Sequence, residues 1–559
     1  MRRFIQIIGL IPVVMAAMLL RIQANSYTPE NSSFSFYILI MILVGVAYLM
    51  ILGNVKDDRV DIFLESMMEY KIAYILEAVL FGVVILTFLP FIYDLLYTGT
   101  VHISALFWFV ISAIVFFWFF LNLIIGHWNK PEDLFAIAAI PICMAYCFII
   151  VPNAVPDEPS HFGKAYLVST GVLTNEFQVA IPTAYTGFGD TNYYNYEIFI
   201  RNFFAPCDYQ DLMVTSTLVQ SNFIYYIIPA LGIGLARIMN LSLMAGYVLG
   251  RIFNAFFYIF VGYWTIRKIP FGKYIFLLYM LSPVCVQQAS SMSLDVILHS
   301  FSFFSIAYIL DIALNKEEIE YLDICILGTL MVIACLQKPN YIILWGFVFV
   351  CSRQLNSMTL SKWLLVALFV VLLPLAYRGN TLLLGIRPDD WTPMREGVDA
   401  SAQMRYLLED VSRIPTLWSD SLQMNSQFYL ESFAGVKMSW FNISLPELLA
   451  YGYLVLNFTT IPFGEGEARL HIGAKIWSII LVLLLGISAM LAMYLYWTPV
   501  GGAIIEGVQG RYFIPFAVLI LLVLVPKHKI NRSYTGQAYT LVLSAMQIAM
   551  MVCLFSQFV

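Results

Sequence analysis

The sequence predicts an all-α protein that crosses a membrane many times. Of its 559 residues, 61% are hydrophobic and only 12% are charged, whereas soluble domains carry about 25% charged residues. The mean hydropathy is +0.81, and the apolar residues recur in stretches close to the length of about 20 residues that a spanning helix needs. We therefore expect a bundle of about 14 to 16 transmembrane helices.

The lysines and arginines predict which loops are cytoplasmic, because such loops carry the excess of positive charge. The cations assigned to the inner side are Arg2, Arg3, Lys56, Arg59, Lys71, Lys130, Arg267, Lys268, Lys273, Lys316, Arg353, Lys362, Arg469, Lys475, Lys527, Lys529 and Arg532. The spans that fit this assignment are 4–20, 34–52, 72–97, 103–126, 134–151, 243–266, 274–290, 296–314, 321–337, 340–352, 362–378, 446–463, 475–496, 512–526 and 537–557. The first span leads to Arg21 rather than to a small-residue cleavage site, so we expect no cleavable signal peptide.

One apolar segment, residues 223–239, does not fit as a simple span. If it were counted as one, the predicted orientation of every later span in the membrane would be reversed. It is either a juxtamembrane or re-entrant helix, or one arm of a true hairpin with 243–266. The hairpin would leave Arg267 and Lys268 outside. We favour the first alternative.

The spans divide the chain into three parts. Residues 1–128 form an additional N-terminal module of about four spans, residues 129–526 form the core, and residues 527–559 form a last loop and span. Two long loops of the core, 152–222 and 379–445, fall on the same outer face. Their composition and aromatic residues indicate folded, helical loops rather than disorder.

Several kinds of site are not indicated by the sequence. Gly232-Ile-Gly234 lacks the third glycine of a nucleotide-binding loop, so we expect helix packing there. Cys143 and Cys147 are one helical turn apart, which favours packing over metal binding. Cys207 is the only loop cysteine, so no disulfide framework is expected. The six histidines are scattered, and the net charge of −5 is small; we expect neither a protein-built zinc site nor a nucleic-acid partner.

Two adjacent acids and a histidine open the first outer loop. Asp157, Glu158 and His161 surround Pro159, which suits the first turn of a helix, and Gly171 suits its end. The acids either cap this helix or act at the membrane edge, where a lipid-borne substrate arrives. A carboxylate there would serve as a general base, removing a proton from an acceptor hydroxyl as it attacks the anomeric carbon of a sugar.

A third acid, Asp295, lies at the outer end of the predicted span 296–314. Acids at such depth are costly and are usually functional or paired. Asp295 is therefore a further catalytic candidate, with pairing to an arginine as the structural alternative.

Three cations lie in or beside apolar segments. Arg511 follows several small residues, so an anion could approach it closely, and arginine binds phosphate through two parallel charge-assisted hydrogen bonds. Its alternative role is snorkelling to the membrane interface. Lys338 is a second outer cation, and Arg251 is a third, for which structural pairing is the favoured role.

Together these motifs resemble a bacterial family of multi-spanning proteins, domain of unknown function 2142. The shared motifs run over residues about 134–526 and are Pro156-Asp157-Glu158 with His161, Tyr225-Tyr226 through Gly250-Arg251 and Asn254, Pro283 with Gln288-Ala-Ser and Asp295, Lys338-Pro-Asn-Tyr341, Trp440 to Pro446, and Gly507-Val-Gln-Gly-Arg511-Tyr-Phe-Ile-Pro515. The Asp-Glu…His and Gly-Arg-Tyr motifs are fairly specific when they occur together.

That family is similar to the GT-C glycosyltransferases, membrane enzymes that take sugars from polyprenyl-phosphate carriers on the outer side of the membrane. The resemblance implies a GT-C-like bundle in the bacterial plasma membrane, with Asp157 as the base, Glu158 and His161 beside it, and Asp295 as the second acid. It implies that the donor phosphate and lipid are bound by Arg511, Lys338, Arg251, Tyr512, Gln509 and Tyr225. GT-C enzymes differ in their use of a divalent metal, so the metal is left open, with Mg²⁺ or Mn²⁺ as candidates.

Three functions compete. We favour an inverting glycosyltransferase that moves a sugar from a polyprenyl-phosphate donor to a cell-envelope glycan or lipid-linked acceptor in polysaccharide biosynthesis. A transporter or flippase of lipid-linked sugars would need polar groups along a mid-membrane path, whereas mid-span charges are scarce here. A non-catalytic assembly scaffold would tolerate every substitution on the outer face.

Overall fold

The computed structural model describes residues 130–175, 178–188, 198–199, 202–203, 205–216, 221–384, 395–531 and 535–557. These residues belong to the core and to the last loop and span. The predicted N-terminal module, residues 1–128, and its four spans lie outside the described residues.

The described chain is mainly helical, as the sequence predicted. Its α-helices are α1 (Pro131–Ile149), α2 (Glu158–Ser169), α3 (Ile227–Ile238), α4 (Leu243–Lys268), α5 (Lys273–Met280), α6 (Pro283–Ala289), α7 (Asp295–Asn315), α8 (Tyr321–Gln337), α9 (Ile342–Trp345), α10 (Ser352–Asn356), α11 (Leu360–Leu384), α12 (Ala400–Glu409), α13 (Arg413–Ala434), α14 (Glu447–Thr459), α15 (Ile472–Tyr496), α16 (Ile514–Leu524) and α17 (Thr535–Ser556). Short 3₁₀ helices are Thr183–Phe188, Phe223–Tyr226, Pro339–Tyr341, Gly346–Cys351 and Gly510–Tyr512.

Within the described residues, five helices are long and apolar enough to cross a membrane: α1, α4, α7, α11 and α15. They differ in how far the protein itself covers them. In its most apolar 18-residue window, α7 is 83% buried, whereas α11 is only 6% buried. Helix α7 therefore forms the centre of the bundle, and α11 presents its leucines and valines outward, as a lipid-facing helix does. These helices confirm the all-α polytopic fold class.

The first two long helices run in opposite directions. Helices α1 and α4 are antiparallel: a Cβ on Gly262 would lie 2.6 Å from the ring of Phe135 near one end, and Arg251 reaches the carbonyl of Cys147 near the other. We call the end of the bundle at which α1 begins the basic end and the opposite end the site end.

The basic end gathers lysines that the sequence assigned to the inner side of the membrane. Four of these lysines are paired with acids. The pairs are Lys268–Asp311 at 2.6 Å, Lys273–Glu132 at 3.5 Å, Lys316–Asp323 at 2.8 Å and Lys362–Glu318 at 2.7 Å. These cations lie at one end of the bundle, as one side of a membrane requires.

Two predicted spans are interrupted. The predicted span 274–290 is two helices, α5 and α6, because Pro283 has no N–H and its ring opposes a continuous helix; Pro283 instead lies in the first turn of α6. Predicted span 340–352 is a series of 3₁₀ and short α turns that begins at Pro339. Helix α11 runs past the predicted end of its span, residue 378, to Leu384.

The ambiguous segment 223–239 forms a 3₁₀ turn followed by α3, which is antiparallel to the first part of α4. A Cβ on Gly232 would lie 2.5 Å from the carbonyl oxygen of Leu249, so the two backbones touch. Helix α3 has 12 residues and is about 18 Å long at 1.5 Å per residue, well short of the bilayer core of about 30 Å. It covers only the site end of α4, whose other end carries Arg267 and Lys268.

The described parts of both long loops are at the site end and are folded. The first contains α2 and a two-stranded antiparallel sheet, β1 (Gln178–Pro182) with β2 (Leu212–Ser216), in which Ala180 pairs with Val214. The second contains α12, α13 and a short hairpin, β3 (Lys437–Met438) with β4 (Ile443–Ser444). These small sheets are additions to the predicted helical loops.

Candidate active site

Asp157 lies at the start of α2 in an unusual backbone conformation. Its φ is +65°, in the left-handed region that non-glycine residues seldom occupy. Asp157 holds the N-cap position, yet its side chain makes no capping hydrogen bond. Its carboxylate Oδ2 instead accepts a hydrogen bond of 2.8 Å from Nη2 of Arg511. The capping alternative therefore does not describe Asp157.

The pair Asp157–Arg511 is part of a cluster of four charged residues, which we call the charged tetrad: Asp157, Asp295, Lys338 and Arg511. Nη1 of Arg511 lies 3.9 Å from Oδ2 of Asp295, and Nζ of Lys338 lies 2.8 Å from Oδ1 of Asp295. With two carboxylates and two cations in alternation, the tetrad is electrically balanced.

The members of the tetrad differ in access. The side chain of Asp157 is 51% exposed, whereas those of Asp295 and Arg511 are each 7% exposed. Lys338 is intermediate. A molecule that approaches the tetrad therefore meets the carboxylate of Asp157 first, with the guanidinium of Arg511 behind it.

Separate elements fix the buried members. Asp295 is the first residue of α7, where a negative charge is favoured by the helix dipole. Arg511 lies in the 3₁₀ turn before α16. Its neighbour Gly510 donates a hydrogen bond of 2.9 Å to Oγ of Ser432 in α13, and a Cβ on Gly510 would overlap the backbone of Phe433. The second outer loop thus holds Arg511 in place through a glycine.

Aromatic rings enclose the cations. Nζ of Lys338 lies 5.9 Å from the ring centroid of Tyr341 and 5.4 Å from that of Tyr512, within the range of cation–π attraction. Burial lowers the pKa of Arg511, but Tyr512 and the two aspartates outweigh it and raise the pKa above its ordinary value. Arg511 is thus a permanent cation. Its Nε is buried without a hydrogen-bond partner.

His161 lies beside the tetrad as a neutral group. Its Nδ1 is 2.7 Å from the hydroxyl of Tyr226. Burial lowers the pKa of His161 below its ordinary value of 6.5, against the opposing influence of Asp157 and Asp295. The imidazole is therefore uncharged at neutral pH and is positioned by its bond to the tyrosine.

Glu158, the second predicted acid, is wholly buried. It forms an ion pair of 2.6 Å with Arg251, and both side chains are 0% exposed. The structure thus places Arg251 in the structural pairing that the sequence favoured for it. Both side chains are closed off from the surface, which favours a structural role over contact with a substrate for Glu158 and Arg251.

Two further predicted site residues, Tyr225 and Gln509, differ in their hydrogen bonding. The hydroxyl of Tyr225 donates to the carbonyl of Ile333, and the side chain of Gln509 has a buried Oε1 without a partner. Sequence reasoning missed His299, a buried residue one helical turn after Asp295 whose Nδ1 has no partner. The i, i+4 spacing of Asp295 and His299 on one helix was the available signal.

Backbone strain concentrates where the two outer loops meet. Four of the five non-glycine residues with positive φ in the described chain are Asn153, Asp157, Ser439 and Phe441. The indole of Trp440 donates to the carbonyl of Asn153 at 2.9 Å, and the hydroxyl of Ser439 donates to the carbonyl of Ala154. Such strain persists only where the surrounding structure enforces it, and it is typical of functional sites.

Among the described residues, no group of three or more His, Cys, Asp or Glu side chains comes together as a metal site. All eight cysteines lie in described segments, none of them forms a disulfide, and only Cys325 is exposed. A metal bound by protein side chains alone has no ligand set in this part of the chain.

Comparison with known proteins identifies the family. The family model described as "Predicted membrane protein (DUF2142)" matches residues 142–520, more than half of the chain and all four members of the tetrad. No curated protein and no solved structure matches the chain. The match covers the loops and helices that build the site end, so the chain belongs to the DUF2142 family of membrane proteins.

Proposed function

We propose that the protein is an inverting GT-C-like glycosyltransferase of the bacterial plasma membrane. It takes a sugar from a polyprenyl-phosphate donor and transfers it to a cell-envelope glycan or lipid-linked acceptor on the extracytoplasmic side. The site end of the bundle faces that side, because the paired lysines at the opposite end are those expected in the cytoplasm.

The convergence of the charged tetrad is the observation that carries this proposal. Its members come from four separate segments, and three ion pairs, two of 2.8 Å and one of 3.9 Å, link them. Buried charges are costly unless they are paired. In a membrane protein, clustered ionisable side chains usually mark a functional site. One accessible carboxylate beside two cations suits a substrate that brings a hydroxyl and a phosphate to the same place.

In the proposed reaction, Asp157 accepts the proton of the acceptor hydroxyl. The acceptor oxygen forms a bond to the anomeric carbon of the donor sugar, and the bond between that carbon and the phosphate oxygen breaks. The polyprenyl phosphate leaves with the bonding electron pair, and Arg511 and Lys338 stabilise its charge through charge-assisted hydrogen bonds. Attack opposite the leaving phosphate inverts the anomeric configuration.

The ion pair between Asp157 and Arg511 fits the arrival of the donor. While the pair persists, one carboxylate oxygen of Asp157 is occupied by the guanidinium. A donor phosphate would take the place of that carboxylate on Arg511, because a guanidinium binds phosphate as readily as it binds carboxylate. The freed oxygen of Asp157 is then available for the acceptor hydroxyl.

A transfer assay with the purified protein in liposomes tests the proposal. The donors are undecaprenyl-phosphate hexoses with a radiolabelled sugar, and the measured quantity is label that leaves the lipid by transfer to glycan or by hydrolysis. We expect Asp157→Asn to lower this rate by about a hundred- to ten-thousandfold, the usual range for a general base, while the protein still inserts normally.

Asp208→Asn is the matched control, since Asp208 is an exposed acid of the same outer loop that lies outside the tetrad. It should retain the wild-type rate. Full activity in Asp157→Asn would reject the base assignment, and movement of the intact donor between leaflets without loss of its sugar would indicate a transporter.

A further inference from the structure

The two carboxylates of the tetrad are carried by two loops, residues 150–157 and 290–294. Asp157 ends the first loop and Asp295 follows the second. Neither loop has regular secondary structure to set its position. Contacts from elsewhere in the protein must therefore fix the distance between them.

The buried pair of Glu158 and Arg251 contacts both loops. Oε1 of Glu158 accepts hydrogen bonds from Nε of Arg251 at 2.8 Å and from the backbone N–H of Met292 at 3.1 Å. Glu158 is the direct neighbour of Asp157, and Met292 is three residues before Asp295. A single carboxylate oxygen thus connects the two segments that present the tetrad carboxylates.

Arg251 completes the connection from the other side. Its Nη1 donates to the carbonyls of Ile150 and Cys147, and its Nη2 donates to the carbonyl of Val151 at 3.2 Å. The guanidinium therefore holds the end of α1 and the beginning of the first loop while it binds Glu158. It also lies 5.0 Å from the ring centroid of Tyr247, whose hydroxyl accepts from the N–H of Asn153 at 3.0 Å.

A hydrophobic pair would hold the helices together as well as this ion pair does. Replacing a buried ion pair by apolar residues of similar size is often neutral or stabilising, whereas removing one partner is strongly destabilising. Stability alone therefore does not account for a charged pair that is 0% exposed. Its directional bonds to four backbone groups connect the two loops to each other through one ion pair, which apolar packing cannot do.

We propose that Glu158 and Arg251 are positioning residues that set the separation of the carboxylates of Asp157 and Asp295. This inference rests on the proposed function, since the separation matters only if Asp157 acts on a donor whose phosphate is bound by Arg511 and Lys338, the cations that Asp295 contacts. Neither residue touches the substrate. Their loss displaces Asp157 relative to the cations that bind the phosphate.

The test is the double variant Glu158→Leu/Arg251→Met, which removes both charges and avoids an unpaired one. We expect it to insert and fold, and to lose about a hundredfold in the rate of transfer at saturating donor, because displacement of a catalytic group by about 1 Å costs that much. The donor concentration at half-saturation should stay within about threefold of wild type, because Arg511 and Lys338 are retained and ground-state binding is kept.

Amide hydrogen exchange supplies a second readout that does not depend on any substrate. In the double variant, peptides covering 150–158 and 290–295 should exchange at least about tenfold faster, because they lose their bonds to the charged groups of Glu158 and Arg251, which are stronger than bonds between neutral groups. Peptides from α7 beyond its first turn should be unchanged.

The control is Lys316→Met/Asp323→Leu, which removes another ion pair, of 2.8 Å, at the basic end. It should leave transfer and the exchange of both loops unchanged. The positioning role is overturned if the Glu158→Leu/Arg251→Met variant keeps wild-type turnover, or if its two loops keep their protection. Failure of the proposed function is a separate result, namely wild-type activity in Asp157→Asn.

Discussion

At the scale of single residues, two adjacent acids have opposite environments. Asp157 is half exposed and faces Arg511, while Glu158 is sealed in the core against Arg251. The left-handed φ of Asp157 turns its side chain away from the helix that Glu158 begins. One acid is therefore free to meet a substrate, and the other fixes the backbone that carries it.

The contacts of Arg511 suit a guanidinium better than an ammonium group. Its two terminal nitrogens reach different carboxylates, at 2.8 and 3.9 Å, and the compact ammonium of a lysine lacks the planar fork that binds phosphate through two parallel hydrogen bonds. We expect Arg511→Lys to raise the donor concentration at half-saturation by about 10- to 100-fold, equivalent to one charged hydrogen bond of about 1.5 to 3 kcal/mol.

The measurement for Arg511→Lys is the dependence of the transfer rate on donor concentration in liposomes. Arg395→Lys serves as control, because Arg395 pairs with Glu506 in a half-exposed bridge of the second outer loop, outside the tetrad. An unchanged half-saturation in Arg511→Lys would remove Arg511 from the phosphate site.

The sequence allowed the members of the tetrad to be named but not their arrangement. Asp157, Asp295, Lys338 and Arg511 could be proposed from charges at the ends of apolar runs. Which cation meets which acid could not be predicted, because the pairing depends on the positive φ of Asp157 and on contacts over hundreds of residues. Glu158 was assigned to catalysis for the same reason, since its partner Arg251 is distant in sequence.

At the scale of elements, close backbone contact defines the packing of α3 against α4. Gly232 faces the carbonyl of Leu249, while a Cβ on Gly234 would meet nothing within 4 Å. The two glycines lie on one helix, one turned toward α4 and the other away from it. They form a matched pair for testing this packing.

We expect Gly232→Ala to destabilise the protein by about 1 to 3 kcal/mol, because an added methyl group in a closed contact forces the backbones apart. Gly234→Ala should be neutral or stabilising by up to about 1 kcal/mol, as alanine favours a helix. Thermal unfolding in detergent measures both. Equal unfolding temperatures for the two variants would contradict the close contact between α3 and α4.

The sequence predicted the bounds of a helix well where a long apolar segment formed one unbroken helix. It predicted them poorly where a proline or a strand changed the backbone conformation. The span predicted at 296–314 is α7, Asp295–Asn315. The break in the span predicted at 274–290 follows from Pro283, whose position at a helix start required knowledge of where α5 ends. The small sheets in the outer loops could not be predicted, because their strands show no clear alternation of apolar and polar residues.

At the scale of the whole molecule, charge separates the two ends of the bundle. Paired lysines cluster at the basic end, and the tetrad and both folded loops occupy the site end. The most buried of the five long apolar helices, α7, connects these ends, running from Asp295 in the tetrad to Asp311, which binds Lys268 at 2.6 Å. Helix α11 is hardly covered by the rest of the protein, as expected of a helix that faces lipid.

The sharpest test of this arrangement is crosslinking of the variant Asp157→Cys/Arg511→Cys in intact cells by a membrane-impermeant bifunctional thiol reagent of about the length of an arginine–aspartate pair. Seven of the eight native cysteines are buried, which keeps the background low. We expect an intramolecular crosslink between the two positions when the reagent is added from outside the cell. Labelling of the two cysteines from opposite sides of the membrane, or only after permeabilisation, would contradict an extracytoplasmic site built from both residues.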